Sequence, residues 1–205
     1  MTQAESELLS QLIDAKRSFA GRGWMPATSG NLSARISSAP LRFWISVSSR
    51  DKEQTRSDDF VIVDDRGEPE VSSSLKPSAE AEIHAAVYKK VGVGAVFHVH
   101  SVYNAITSEQ AFADRGIVFE GLEILKGLGR WEPRASLRIP IVENLHDLHA
   151  LAELVSRSID PSVPGLLIES HGLYAWGDSC FETKRHVESF EFLFQWNVVK
   201  RMMRS

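Results

Sequence analysis

Two histidines separated by one residue, His98 and His100, close the apolar run Gly94-Ala95-Val96-Phe97. A short run rich in valine and phenylalanine reads as a buried strand, and in a strand residues i and i+2 project to the same face. Both imidazoles would then converge at one strand end, the geometry that a zinc-type divalent cation needs from two of its ligands. Such a pair also occurs as hydrogen-bonded core histidines, so a third ligand decides. His171 is the leading candidate: it follows the apolar segment Leu166-Leu167-Ile168-Glu169 and precedes Gly172, at another strand end; the competing reading is a turn histidine. His146 and His149 form a rival i, i+3 pair, but Glu143 and Asp147 beside them suggest a solvated helix start. His84 and His186 also fall in predicted helices.

Anion binding is the second chemistry these residue types allow. Thr28-Ser29-Gly30-Asn31-Leu32-Ser33 sets a glycine among small polar residues, so that backbone N–H groups can approach an anion closely. Ser48-Ser49 is a similar small polar cluster, and Lys76-Pro77-Ser78-Ala79 opens a predicted helix whose N-terminus attracts phosphate. Lys52 could add a point charge. Each cluster alone fits an ordinary turn or cap; three of them ahead of a candidate metal site form a pattern.

The elements that must position these residues follow from periodicity. Leu8, Leu9, Leu12, Ile13, Ala15 and Phe19 recur at helical spacing over about residues 5–20, and Gly21 and Gly23 end that helix. Residues 31–36 and 43–48 read as a strand pair, and 60–63 as a strand closed by the turn Asp64-Asp65-Arg66-Gly67. A helix is predicted from Pro77-Ser78 to about Val91, with Ser78 as N-cap and Glu80 in the first turn, where the helix dipole favours a carboxylate. After the histidine strand come a short helix near 102–108, a strand at 137–142, a helix at 145–158 and a strand at 165–168. The long final helix, about 181–203, carries the stripe Val187, Phe190, Leu193, Phe194 and Val198. Alternating elements with short links predict an α/β fold, a mixed and largely antiparallel sheet flanked by helices, with residues 1–205 forming a single domain.

Composition narrows the function. A chain of 205 residues with 43% hydrophobic content can bury one substantial core. A net charge of −4 argues against nucleic acid or an anionic membrane as partner, so an anionic ligand must be held by local features. The one cysteine, Cys180, excludes an internal disulfide and a cysteine-based zinc site. Glu5, Glu7 and Asp14 interrupt the layout of a signal peptide, and no apolar run approaches the roughly 18 residues that span a bilayer. A soluble, cytoplasmic protein is expected.

Four segments together carry a family resemblance: Ala27-Thr28-Ser29-Gly30-Asn31-Leu32-Ser33-Ala34-Arg35, Lys76-Pro77-Ser78-Ala79-Glu80, Ala95-Val96-Phe97-His98-Val99-His100-Ser101 and His171-Gly172. In order and separation the chain resembles the class II aldolase/adducin family over nearly its whole length. Arg22-Gly23-Trp24, the run His171 to Gly177 and the ending Glu188-Ser189-Phe190-Glu191-Phe192-Leu193-Phe194 resemble a branch that dehydrates a ketose phosphate bearing an apolar substituent.

The resemblance implies a class II aldolase-like three-layer fold and a divalent metal, usually zinc (Zn2+), one per subunit, held by His98, His100 and His171. It implies that Gly30, Asn31, Ser48, Ser49 and Ser78 surround a sugar phosphate's phosphate group, and that subunits assemble as a homotetramer with sites near subunit interfaces. Two carboxylates compete for proton transfer. Glu80 matches the family's aldolase base, a fourth metal ligand in the empty site; Glu123 matches the acid/base glutamate of the dehydratases and is favoured, with Glu80 supporting. The resemblance departs at Ser48-Ser49-Arg50, where Ser49 stands in place of an expected glycine, and at Val99, where threonine is common. Trp24, Phe119 and Trp131 are candidates to line an apolar subsite. The alternatives are an aldolase or epimerase acting on another ketose phosphate of fuculose or ribulose type, and a non-catalytic adducin-like interaction module.

Overall fold

The computed structural model describes residues 1–56, 58–71 and 74–204. Helix α1 (Gln3–Gly21) begins with a capping box: the Thr2 hydroxyl accepts from Glu5 N, and Glu5 Oε2 accepts from Thr2 N. Strands β1 (Asn31–Ser38), β2 (Leu41–Ser46) and β3 (Phe60–Val63) form a meander, followed by α2 (Ala81–Val91) and the histidine strand β4 (Ala95–Val99). Then come α3 (Val102–Ala111), β5 (Gly116–Glu120), a 3-10 helix (Glu123–Leu128), β6 (Ser136–Val142), α4 (Leu148–Ser158), β7 (Gly165–Ile168), β8 (Gly172–Gly177) and α5 (Cys180–Met202).

The strands make one eight-stranded sheet in the order β3-β2-β1-β4-β8-β7-β6-β5. Every neighbouring pair is antiparallel except β6 and β7. Alternation along the strands divides the core into two layers. Leu32, Ala34, Ala95, Phe97 and Val99 face α1, α3 and α5, meeting Leu12, Phe19, Val187, Phe190 and Phe194. Phe43, Ile45, Val96 and Leu166 face α2 and α4, meeting Ile83, Val87, Leu151 and Val155. The result is a three-layer α/β fold, as expected. No helix among the described residues is long and apolar enough to cross a membrane.

Three local expectations are corrected. Helix α2 does not start at Pro77-Ser78: Pro77 bridges to Val47 and Ser78 N donates to Ser46 O, which keeps this stretch extended alongside the end of β2. The helix begins at Ala81 with Glu80 as its N-cap residue, and the Ser78 hydroxyl instead accepts from Glu80 N in the preceding turn. Helix α4 starts three residues later than expected, because the Asp147 carboxylate caps it by accepting from Ala150 N, and so His146 lies outside the helix. Strands β5 and β8 are additions to the expected elements. Strand β8 is buried throughout, so its sequence shows none of the alternation that marks a half-exposed strand.

Candidate metal centre and anion cavity

Strand register brings the histidines together. The β4–β8 pairing sets His98 opposite Tyr174 and Val99 opposite Leu173, while β7 pairs Ile168 with Gly172, which places the β7–β8 turn and His171 beside the end of β4. Gly172 is required here: a Cβ would meet Val99 O at 2.6 Å and His98 Cε1 at 2.8 Å. The ligand nitrogens of His98, His100 and His171 lie within 4.8 Å of one another.

Outer hydrogen bonds orient the rings. His98 Nδ1 donates to Leu173 O at 3.0 Å and His171 Nδ1 contacts Asn144 Oδ1 at 3.3 Å, which leaves both Nε2 lone pairs directed at the common centre. His98 Nε2 and His100 Nε2 are 2.7 Å apart, so the two rings face the same point. Burial pushes His98 far below the usual histidine range; burial and then the neighbouring His171 push His100 down to about 4. Neutral imidazoles with convergent lone pairs are the donor set that a divalent metal requires, so the residues fit one.

Glu80 adjoins this cluster. Its two carboxylate oxygens lie 3.4 Å from His98 Nε2 and 3.4 Å from His171 Nε2. Asn31 Nδ2 donates to Glu80 Oε2 at 2.6 Å, and Asn31 Oδ1 accepts from His84 Nε2. The Ser33 hydroxyl, 2.6 Å from the Tyr88 hydroxyl, reaches His84 Nδ1 at 2.7 Å. His84 is fully buried, and burial keeps it neutral down to about 3. Sequence reasoning places His84 in a helix and gives it no part in the site. The available signal is its spacing: Glu80, His84 and Tyr88 follow one another at i, i+4, i+8, along one helix face.

Gly30, Asn31, Ser48, Ser49 and Ser78 line one cavity of about 280 Å³, together with Lys52, Glu80 and His100. The Val47–Pro77 bridge and the Ser48 N to Lys76 O bond at 2.9 Å draw the Ser48-Ser49 loop beside Ser78 at the N-terminal end of α2. Ser49 adopts φ +57°, the left-handed conformation that a glycine takes without strain. Gly30, at φ +73°, allows a close approach, since a Cβ there would meet His98 O at 2.9 Å. Larger hollows of about 790 and 620 Å³ lie elsewhere and include none of these residues.

Glu123 is not brought to this cluster within one chain. The histidines sit where β4, β6 and β7 end, whereas Glu120 pairs with Ser136, the first residue of β6. Strand β6 has seven residues, roughly 20 Å of sheet. Glu123 follows at that far end, 84% exposed and bonded to Lys126 at 2.6 Å. It shares a hollow of about 210 Å³ with Trp131, itself 69% exposed. Of the apolar-subsite candidates, Phe119 is withdrawn into the core against Phe194. Trp24 is half-buried, and its carbonyl oxygen accepts from His100 N at 2.8 Å. His149, of the rival pair, contacts Glu82 and Glu153 on the exposed α2–α4 face.

A three-layer fold with three imidazoles and a carboxylate beside a hydroxyl-lined cavity defines a metal-site protein of the aldolase type. The chain belongs to the Class II Aldolase and Adducin N-terminal domain family, which it matches over residues 10–198. It is 43% identical over 194 residues to the methylthioribulose-1-phosphate dehydratase of Geobacillus thermodenitrificans, covering 95% of this chain and 92% of that one. It is 42% identical over 196 residues to the dehydratase of the same name from Bacillus subtilis, covering 95% and 94%. The L-fuculose-1-phosphate aldolase of Thermus thermophilus shares the fold, with a TM-score of 0.78 over 98% of each chain at 20% identity.

Proposed function

We propose that residues 1–205 form one catalytic domain that removes water from 5-methylthioribulose 1-phosphate, giving 2,3-diketo-5-methylthiopentyl 1-phosphate in methionine salvage. The observation that carries this reading is the convergence of His98, His100 and His171 beside the cavity that contains Gly30, Asn31, Ser48, Ser49 and Ser78. The relatives at 42–43% identity supply the particular substrate. The proposed working form is a cytoplasmic homotetramer with one zinc ion per subunit.

A divalent cation held by the three histidines would polarise the substrate's C2 carbonyl as a Lewis acid, easing loss of the C3 proton. The phosphate group sits in the hydroxyl-lined cavity at the start of α2, where backbone N–H groups and the helix dipole favour an anion. This remote anchor aligns C3 and C4 with the acid–base groups. Glu123 takes the C3 proton and returns a proton to the C4 hydroxyl, which leaves as water as the C3–C4 double bond forms. The enol then ketonises to the dicarbonyl. A positioned acid–base group of this kind contributes about 10²–10⁴-fold. Since Glu123 lies at the far end of its own sheet, the role falls to Glu123 of a second copy, in keeping with an oligomer. Glu80, held by Asn31 next to the histidines, supports the site from within the chain.

The contact of Glu80 with His98 and His171 favours one second reading, an aldolase or epimerase in which Glu80 is the base. Incubation of the metal-loaded protein with 5-methylthioribulose 1-phosphate separates the two. The dicarbonyl is the expected product; two-carbon or three-carbon fragments, or an epimer, would overturn dehydration.

A further inference from the structure

The anion cavity contains a charge that its small polar residues do not explain. Lys52 lines the cavity yet is only 3% exposed, and among the described residues its ammonium has neither a hydrogen bond nor an ion pair. Behind it lies a second buried ammonium. Lys16 Nζ donates to Asp59 Oδ2 at 2.5 Å and to Gln54 O at 2.6 Å. Asp59 Oδ2 also accepts from Arg56 N at 2.8 Å, and Asp59 Oδ1 is buried without a partner. Asp59 is therefore taken by Lys16, and among the described residues Lys52 has no carboxylate bonded to it. Glu80 also lines the cavity, but Asn31 turns its carboxylate towards His98 and His171, and it makes no ion pair with Lys52. An uncompensated buried charge is costly to hold, and a fold keeps one where a counter-charge arrives.

We propose that Lys52 is the counter-charge of the substrate's phosphate, an ammonium kept unpaired by the Lys16–Asp59 ion pair until a phosphate monoester enters the cavity. The inference rests on the proposed phosphorylated substrate and adds the group that selects a dianionic phosphate ester over a neutral sugar. Burial, then the charge of Lys16, pushes Lys52 down to about 8, with Asp59 opposing. Phosphate affinity should therefore weaken as pH rises through that value.

The test titrates the metal-loaded full chain with inorganic phosphate, read by calorimetry and by the rise in melting temperature. Lys52→Met should weaken phosphate binding roughly ten- to hundredfold, the loss expected for a charge-assisted hydrogen bond. Its melting temperature without phosphate should be unchanged or higher, because an unpaired buried charge has gone. A variant that binds phosphate within about twofold of the parent overturns the proposal, whatever its stability. Should Lys52→Met fail to fold, the parent chain decides the matter by itself: affinity must fall between about pH 7 and about pH 9.5, and a flat profile overturns the proposal. Phosphate binding that depends on Lys52 without dicarbonyl formation would reject the dehydratase reading alone. Dicarbonyl formation with phosphate binding indifferent to Lys52 would reject this inference alone.

Discussion

The side chain of Asn31 joins Glu80 to His84: its amide N–H donates to Glu80 Oε2 at 2.6 Å while its carbonyl oxygen accepts from His84 Nε2. The Glu80 carboxylate only accepts, so Asn31 turns its N–H to Glu80 and its oxygen to His84 Nε2, which then carries the ring N–H. The direction in which Glu80 faces the histidines is thus fixed by a buried ring two hydrogen bonds away. His84→Leu should leave the Asn31 carbonyl oxygen unsatisfied in the interior, while Ser33 keeps Tyr88 and Val96, and should cost about 1–3 kcal/mol in urea unfolding. Turnover should fall while bound metal is retained, because no histidine of the cluster has changed. Normal kcat in that variant would show that Glu80 keeps its orientation without His84.

Removal of one cluster histidine tests the metal directly. His98→Ala or His171→Ala should lose the divalent ion and all turnover, since two imidazoles hold a cation far more weakly than three. Elemental analysis of the purified variants decides, and stoichiometric metal in either would place the ion elsewhere.

Gly172 is a steric probe of the same centre. A methyl group there would stand 2.6 Å from Val99 O and 2.8 Å from His98 Cε1, so Gly172→Ala must displace the β4–β8 contact and rotate the His98 ring. We expect metal affinity to drop at least tenfold, about 1.4 kcal/mol or more, in a competition titration with a chelator.

Glu123→Gln should keep its metal and abolish turnover. Mixed under conditions that exchange subunits with the inactive His98→Ala variant, it should regain activity, because an intact Glu123 from one chain can meet an intact histidine cluster in another. If activity stays absent in exchanged mixtures, Glu123 does not act between copies, and near-normal turnover by Glu123→Gln alone would shift the acid/base role to Glu80.

Behind the histidine strand, Glu191 is a buried carboxyl that accepts from the Ser101 hydroxyl at 2.5 Å and from Asn104 Nδ2 at 2.8 Å. Burial raises it from 4.5 to about 7, against the lowering effect of those two hydrogen bonds. A carboxyl with a folded value above its unfolded one makes its full stabilising contribution below the unfolded value and loses it as pH rises through about 7. Glu191→Gln mimics the protonated form, so it should match the parent near pH 5 and exceed it near pH 8 by about 1–3 kcal/mol in urea unfolding. A variant less stable than the parent at the higher pH would mean that the carboxylate itself is needed there.

The His98/His100 pair was legible because a strand has period two, and that rule needs nothing beyond the two residues and their apolar approach. The small polar clusters at Gly30-Asn31, Ser48-Ser49 and Ser78, which the structure brings to one cavity, were legible as candidates for a similar reason: residue size and hydroxyl chemistry are local properties. The start of α2 was misread because Pro77 is held extended by Val47, thirty residues earlier, and β8 was invisible because both of its faces are covered. His84 gained its role from Ser33 and Asn31, more than fifty residues away in the chain. Placement of Glu123 depended on strand order and direction, which put the end of β5 beside the start of β6 and away from the histidines. Periodicity and side-chain chemistry therefore specified which groups this protein possesses and the faces on which neighbours lie. Which groups meet was decided by pairing between distant segments, where the free energy resides in contacts that no short stretch of chain contains.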